Sequence, residues 1–311
     1  MTVRYHVTPG GELDPCYAEA EPCPCCSRHY DFFNNDSAIA WKIASRLSAI
    51  DPSNRGLKDL MEDAEAGKQI TFEQIAYAMQ TRGLRENRTR VGITSVRRLS
   101  TLLYGMGRTF DGLNTDRAST EEFVRTGDPT VLASKSDYEL LADLFDASEF
   151  VMSTDWSQTK IDAGSAIAVN SRLTRSASLR PGVMRTVEPA YVNTTLGRWK
   201  AVDRPSPVSL QAMIAAAQDE AAGDLMDRAV GLFCEEARLQ PFSDGNKRTA
   251  LFMANAVTLK ETEGETMVSV PADDVDAVKT FAGLLSRWYV QDDPAIKTWL
   301  AEWNRHNPIE D

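Results

Sequence analysis

From Asp36 onward, apolar residues recur at spacings of three and four, and one stretch replaces that rhythm with a strand-like pattern. A helix in a water-soluble chain buries a single stripe, so this rhythm commits most of the sequence to helices packed on helices. In SAIAWKIASRL, Ile39, Ile43, Ala44 and Leu47 fall on one face. Further helices are predicted near Leu57–Ala66, Phe72–Thr81, Ser95–Tyr104 and Asp137–Met152, separated by polar or Gly-containing breaks. The rhythm resumes in PSPVSLQAMIAAAQDEA from Pro205 and in DLMDRAVGLFCEEARL from Asp224, where Leu225, Ala229, Leu232, Phe233 and Ala237 share a face. Cys234 lies on or beside that face with no histidine near it in sequence, which reads as a small buried hydrophobe rather than a nucleophile. The exception is Val183–Val202, whose Val, Tyr, Thr and Trp surround a glycine. It predicts a two-stranded hairpin turning near Thr195–Gly197, with Pro189 confining the first strand to an edge.

At 311 residues the chain is long enough for one large or two ordinary domains of ~150 residues. The best internal break is Thr126–Lys135, TGDPTVLASK, ahead of the strongly apolar YELLADLFDASEFV. The expected layout is an arm over 1–35, a helical domain over 36–130 and a second domain over 131–305. No window approaches the ~18 apolar residues of a membrane helix, and MTVRYHVTPGGELDP has no apolar signal core, so the expectation is a cytoplasmic protein without membrane contact. A net charge of −11 disfavours a protein whose whole surface grips nucleic-acid phosphates. One basic cluster stands against that balance: Arg82, Arg85, Arg88, Arg90, Arg97 and Arg98. It fits either a DNA-reading pair of helices or a solvated or docking face.

Cys16, Cys23, Cys25 and Cys26 crowd the first tenth of the chain beside His6 and His29. A tetrahedral zinc site is one reading; a reduced cluster that merely packs is the other, because two separated C-x-x-C knuckles are lacking. Pro9, Pro15, Pro22 and Pro24 keep this segment from forming a long helix and point to an irregular arm.

The chemistry concentrates in Leu239–Asn255, LQPFSDGNKRTALFMAN, a loop ending in Gly-Asn before a helix with Ala250, Leu251, Ala254 and Val257 inward. The first N–H groups of a helix lack internal partners and lie at the positive end of its dipole, so the junction favours an anion such as phosphate. Gly245 lets the chain approach closely, Asn246 offers a side-chain amide, and Lys247 and Arg248 bring two positive charges. Asp244 supplies a hard oxygen suited to magnesium between phosphates, and Phe242 anchors the loop. An ordinary Ser/Asp/Gly/Asn surface turn would share the glycine and the acid. Neither G-x-x-x-x-G-K-[ST] nor a strand-following G-x-G-x-x-G is present.

Gln240-Pro-Phe-Ser-Asp-Gly-Asn-Lys-Arg resembles the signature loop of the Fic/Doc family, H-x-F-x-[DE]-[GA]-N-[GK]-R, at eight of its nine positions. The resemblance spans about Asp137–Asn304 and implies a mainly α fold: a helical bundle with a small β-hairpin flap, preceded here by the helical N-terminal domain and Cys-rich arm. It implies ATP with magnesium, and transfer of AMP, or in the Doc branch a phosphoryl group, to a hydroxyl of a target protein. By that resemblance Asp244 holds magnesium, Arg248 clamps the outer phosphates, and Phe242, Ser243, Gly245, Asn246, Lys247 and Arg248 form the nucleotide site. The flap tip, Thr194, Thr195, Leu196 and Gly197, would dock the target by strand addition. An antitoxin or inhibitor is a further implied partner. Lys247 and Leu251 stand where AMP-transferring members usually carry Gly and a second Arg, which leans toward the phosphorylating branch.

The remaining departure is chemical. Gln240 occupies the position of the family's general-base histidine, and an amide has no useful basicity near pH 7, whereas a positioned base contributes ~10²–10⁴-fold. Binding without efficient transfer is therefore expected. A natural pseudoenzyme, a member with another base and an altered histidine all remain open, as does a non-catalytic interaction or regulatory protein, including a toxin-linked or DNA-linked one. Glu235 and Glu236, one turn before Gln240, are candidate substitute bases, with solvated surface acids as the alternative. The family's self-inhibition motif, [ST]-x-x-x-E-[GN], is matched only partly at Glu86-Asn87, because Arg82 stands where Ser or Thr is expected.

Overall fold

The computed structural model describes residues 4–7, 13–16, 30–31, 40–41, 44–45, 48, 55–70, 74–75, 88–176, 180–186 and 189–311. The chain forms two compact units, Met1–Leu84 and Arg85–Asp311. The division therefore falls well before the compositional break at Thr126–Lys135. The reason is packing: the helices on both sides of that break bury Leu99, Leu102, Leu103, Met106, Phe123, Phe145, Phe233 and Phe252 in one continuous core.

In the first unit, β1 (Arg4–Val7) lies between β2 (Leu13–Cys16) and β3 (Tyr30–Asp31), antiparallel to both. The described part of the expected irregular arm is thus a small sheet. Pro15 fits it because β2 is an edge strand, where a missing N–H is tolerated. Cys16 pairs with Arg4 and His6 with Asp14 in register, while Cys23, Cys25, Cys26 and His29 lie outside the described residues. Helix α1 (Arg55–Glu65) falls where the spacing predicts it. Of the helix expected over 72–81, Gln74 and Ile75 are described, and both are helical.

The second unit opens with a tight hairpin, β4 (Arg90–Val91) and β5 (Thr94–Ser95), and runs through α2 (Val96–Asp111), α3 (Arg117–Thr126), α4 (Lys135–Ser153) and α5 (Ala163–Asn170). The helix starts are written locally. Ser95 accepts from Arg98 N to cap α2, Ser134 caps α4, and Asp162 and Ser165 form a reciprocal capping box on α5. The flap follows as β6 (Tyr191–Thr194) and β7 (Gly197–Lys200), paired from Tyr191↔Lys200 to Thr194↔Gly197. Its turn falls where the sequence places it, but the first strand starts at Tyr191 rather than Val183. Upstream, Met184 instead bridges Phe242.

Helices α6 (Pro207–Ala217), α7 (Leu225–Leu239), α8 (Asn246–Thr262), α9 (Val275–Gln291) and α10 (Ala295–His306) complete the unit. Helix α8 is its axis, packed on α2, α4, α5 and α7. Ala250 through Ala254, Ala256 and Val257 are all fully buried, so α8 is apolar around nearly its whole circumference. Its N-terminus lies at the residues singled out above. No helix among the described residues is long and apolar enough to cross a membrane.

Candidate functional site

Helix α7 ends because Gln240 turns left-handed (φ 50, ψ 59), its N–H bonding to the carbonyl of Glu236 at 3.2 Å. Phe242, two residues on, is fully buried and fixes the loop to the core. Arg185 holds the loop's other side: its N–H donates to Pro241 O at 2.8 Å and its Nε to Gln240 O at 2.7 Å. Asn246 then closes the loop on itself. Its Oδ1 accepts from Phe242 N at 2.8 Å, and its Nδ2 donates to Phe242 O at 2.9 Å and to Gln240 Oε1 at 3.0 Å. The amide read from the sequence as an anion donor is committed to loop closure. Gln240 is committed as well, its Nε2 donating to Ala237 O at 2.5 Å.

The free face of the loop opens on a cavity of about 220 Å³, lined by Gln240, Ser243 to Arg248, Tyr191 to Asn193 of β6, and Phe110 and Asp111 at the end of α2. Gly245 is left-handed (φ 72), and a Cβ on it would lie 2.5 Å from Leu173 Cδ1 and 3.2 Å from Asn170 Nδ2. Any Cβ here would push Leu173 aside and strain a left-handed backbone, so glycine suits the position best. The N-cap residue Gly245 has no side chain to cap α8, so the helix's first-turn amides gain no oxygen from it. Asp244 is more than half exposed, and its Oδ1 accepts from Gly245 N at 2.6 Å. The Lys247 ammonium lies 5.1 Å from the Phe110 ring centre, and burial lowers its pKa. Burial raises the Asp111 pKa, a shift that the neighbouring Arg248 and Lys247 charges oppose.

Arg248 is buried among three oxygens. Nη1 donates to Ser176 Oγ at 2.9 Å, Nε lies 3.5 Å from Asp111 Oδ2, and Nη2 lies 3.6 Å from Asp244 Oδ1. The loop is seated from behind by Asn170, whose Nδ2 donates to Asp244 O and Thr249 Oγ1, both at 3.1 Å, and whose Oδ1 accepts from Gly182 N at 2.8 Å. Phe110, Asp111, Asn170 and Ser176 carry no local motif. Their roles arise from contacts that span 72 to 137 positions of the chain, from Ser176–Arg248 to Asp111–Arg248, which only a fold can bridge.

The two candidate substitute bases part company. Glu235 pairs with Lys297 at the surface. Glu236 is fully buried, neither of its carboxylate oxygens has a hydrogen-bond partner, and burial pushes its pKa up to about 8. It is a core acid rather than a solvated one, and it does not line the cavity. Cys234 is buried with its thiol pKa pushed up, as a packing residue should be. At the flap tip, Thr194 Oγ1 donates to Gly197 O at 2.7 Å and Thr195 N to Ser286 Oγ at 3.0 Å, while Leu196 and Tyr191 are exposed. In the arginine cluster, Arg98 donates to the carbonyls of Gly264, Glu265 and Ile309, and Arg88 pairs with Glu149. Those two side chains serve docking within the unit. Arg82, Arg85, Glu86 and Asn87 lie outside the described residues.

Residues 160–258 match the model of the Fic/DOC family. Among solved structures, a Fic domain containing signaling protein from Bacteroides thetaiotaomicron VPI-5482 aligns with a TM-score of 0.55 and 17% identity, covering 67% of this chain and 83% of that one. A Fic family protein from Desulfovibrio desulfuricans G20 aligns with a TM-score of 0.53 and 15% identity, over 68% of this chain and 64% of that one. No curated protein matches the chain. The signature loop, the flap and all but the last turn of α8 fall within the matched residues, whereas Phe110 and Asp111 lie outside them.

Proposed function

We propose that the chain, whose residues 160–258 match the Fic/DOC family model, binds ATP with magnesium but transfers AMP or a phosphoryl group to a protein hydroxyl weakly or not at all. The residues present suit such a ligand. An uncapped helix N-terminus, a glycine whose Cβ would clash with Leu173, the cation Arg248 and the half-exposed carboxylate of Asp244 meet at one cavity. Bound magnesium would neutralise phosphate charge; Asp244 is the oxygen placed to hold it, and Lys247 and Arg248 add positive charge. The observation that carries the second half of the reading is the fixed state of Gln240. Its Oε1 accepts from Asn246 and its Nε2 donates to Ala237 O, so the group at the base position has no basic lone pair to offer a hydroxyl. The Gly-to-Lys and Arg-to-Leu departures at Lys247 and Leu251 favour phosphoryl over AMP transfer in whatever activity remains.

Calorimetric titration with magnesium and ATP tests the first half. Micromolar to millimolar binding that weakens about tenfold or more in Arg248→Ala is expected; silence in the unaltered chain defeats the reading. For the second half, Gln240→His should raise transfer from labelled ATP to the chain or a supplied protein by about 10²-fold or more. ATP bound with no gain in transfer would mean the base is not what limits the site. A second reading, an interaction protein using the flap, is favoured by the exposed Tyr191 and Leu196; retained partner capture in Arg248→Ala would support it.

A further inference from the structure

Arg248 is only as useful as its orientation, and its surroundings offer competing ones. Two carboxylates flank the guanidinium, Asp111 at 3.5 Å from Nε and Asp244 at 3.6 Å from Nη2. Either could draw the fork off the cavity in a site where charges are poorly screened. Against them stands a single neutral contact, Ser176 Oγ, at 2.9 Å from Nη1.

That hydroxyl is not left to rotate. It donates to Asp143 Oδ2 at 2.9 Å, and the same oxygen accepts from Ser176 N at 2.7 Å. Asp143 is fully buried on α4, and its carboxylate also gathers Arg175 N at 3.1 and 2.9 Å and Arg175 Nη1 at 3.0 Å. A hydroxyl has one proton. With that proton given to Asp143, only lone pairs remain to face Arg248, so the buried acid makes Ser176 an obligate acceptor. The segment continues the pattern upstream: Asn170 holds the Asp244 carbonyl and Thr249, and Leu173 backs Gly245. Asn170, Leu173 and Ser176 thus meet the loop at Asp244, Gly245 and Arg248.

We propose that Asp143 and Ser176 are positioning residues for Arg248, together setting the guanidinium to engage the outer phosphates of a nucleotide rather than Asp111 or Asp244. Neither lines the cavity; both act through the arginine. This rests on the nucleotide-binding reading above.

The test is calorimetric titration of the full chain and its Ser176→Ala and Ser176→Thr variants with magnesium and ATP, and separately with AMP, which has no outer phosphates. Ser176→Ala should remain folded, checked by its thermal midpoint, because Ser176 N and Arg175 still hold the Asp143 carboxylate. It should bind ATP about five- to tenfold more weakly, the loss expected for one charged hydrogen bond. AMP affinity should be unchanged, and Ser176→Thr, which restores a hydroxyl, should recover most of the ATP affinity. Equal losses for ATP and AMP, or no loss for either, would overturn this assignment while an Arg248→Ala loss kept the nucleotide site intact. No ATP binding by the unaltered chain would remove the proposed function and this inference together.

Discussion

At the scale of single residues, the signature loop divides into groups that face the cavity and groups that hold the loop, and residue type alone does not tell them apart. Asp244, Gly245 and Arg248, singled out in the sequence as a helix start with a glycine, an acid and a cation, do line one cavity. Asn246 and Gln240 were legible by position only: their amides bond each other and the backbone, a pairing set by the left-handed turn at Gln240. Glu236 reads as a surface acid in sequence and is a buried one in the fold. Its folded pKa of about 8 exceeds the ordinary carboxyl value, so the folded state holds a proton that the unfolded state has released. Its contribution is thus fully favourable below about pH 4.5 and is lost as pH rises toward 8, a swing on the order of 5 kcal/mol. Glu236→Gln should flatten the fall in stability across that window and leave the chain more stable at pH 8. Urea midpoints at pH 5, 6.5 and 8 would show it; parallel slopes in both proteins would contradict it.

At the scale of elements, α1, α2, α4, α6, α7 and α8 followed from apolar spacing, whereas α9 (Val275–Gln291) and α10 (Ala295–His306) were not read from it. Nor were the short elements. Helix α5 has eight residues and is apolar without a clear stripe, yet it carries Asn170 to the loop. Its start depends on the Asp162–Ser165 capping box, so Asp162→Ala should cost about 1 kcal/mol and also weaken ATP binding by loosening Asn170, read by denaturation and calorimetry together. The β4–β5 hairpin was hidden for a different reason. Its turn depends on Gly92, left-handed at φ 56, where a Cβ would lie 1.9 Å from the carbonyl oxygen of Met152. Backbone cannot yield as a side chain can, so Gly92→Ala should destabilise the unit by about 2 kcal/mol or more. A midpoint shift no larger than that of an exposed Gly→Ala change would count against this packing.

At the scale of the molecule, the fold class was readable from periodicity and the family from one loop, but the unit boundary was not. Composition changes at Thr126–Lys135, whereas the core does not, because α2 and α3 bury their faces with α4 and α8. Residues 85–311 made alone should therefore fold and bind magnesium and ATP with the affinity of the full chain; loss of binding in a folded fragment would assign the first unit a share in the site. The order of the elements along the chain has a consequence for biosynthesis. Asp111 and Ser176 leave the ribosome well before Arg248, which arrives on α8, the axis on which α2, α4, α5 and α7 pack. A nascent chain up to the flap has the walls of the pocket but no spine to hold them. The cavity can therefore close only around a central helix made after the elements that form its other walls.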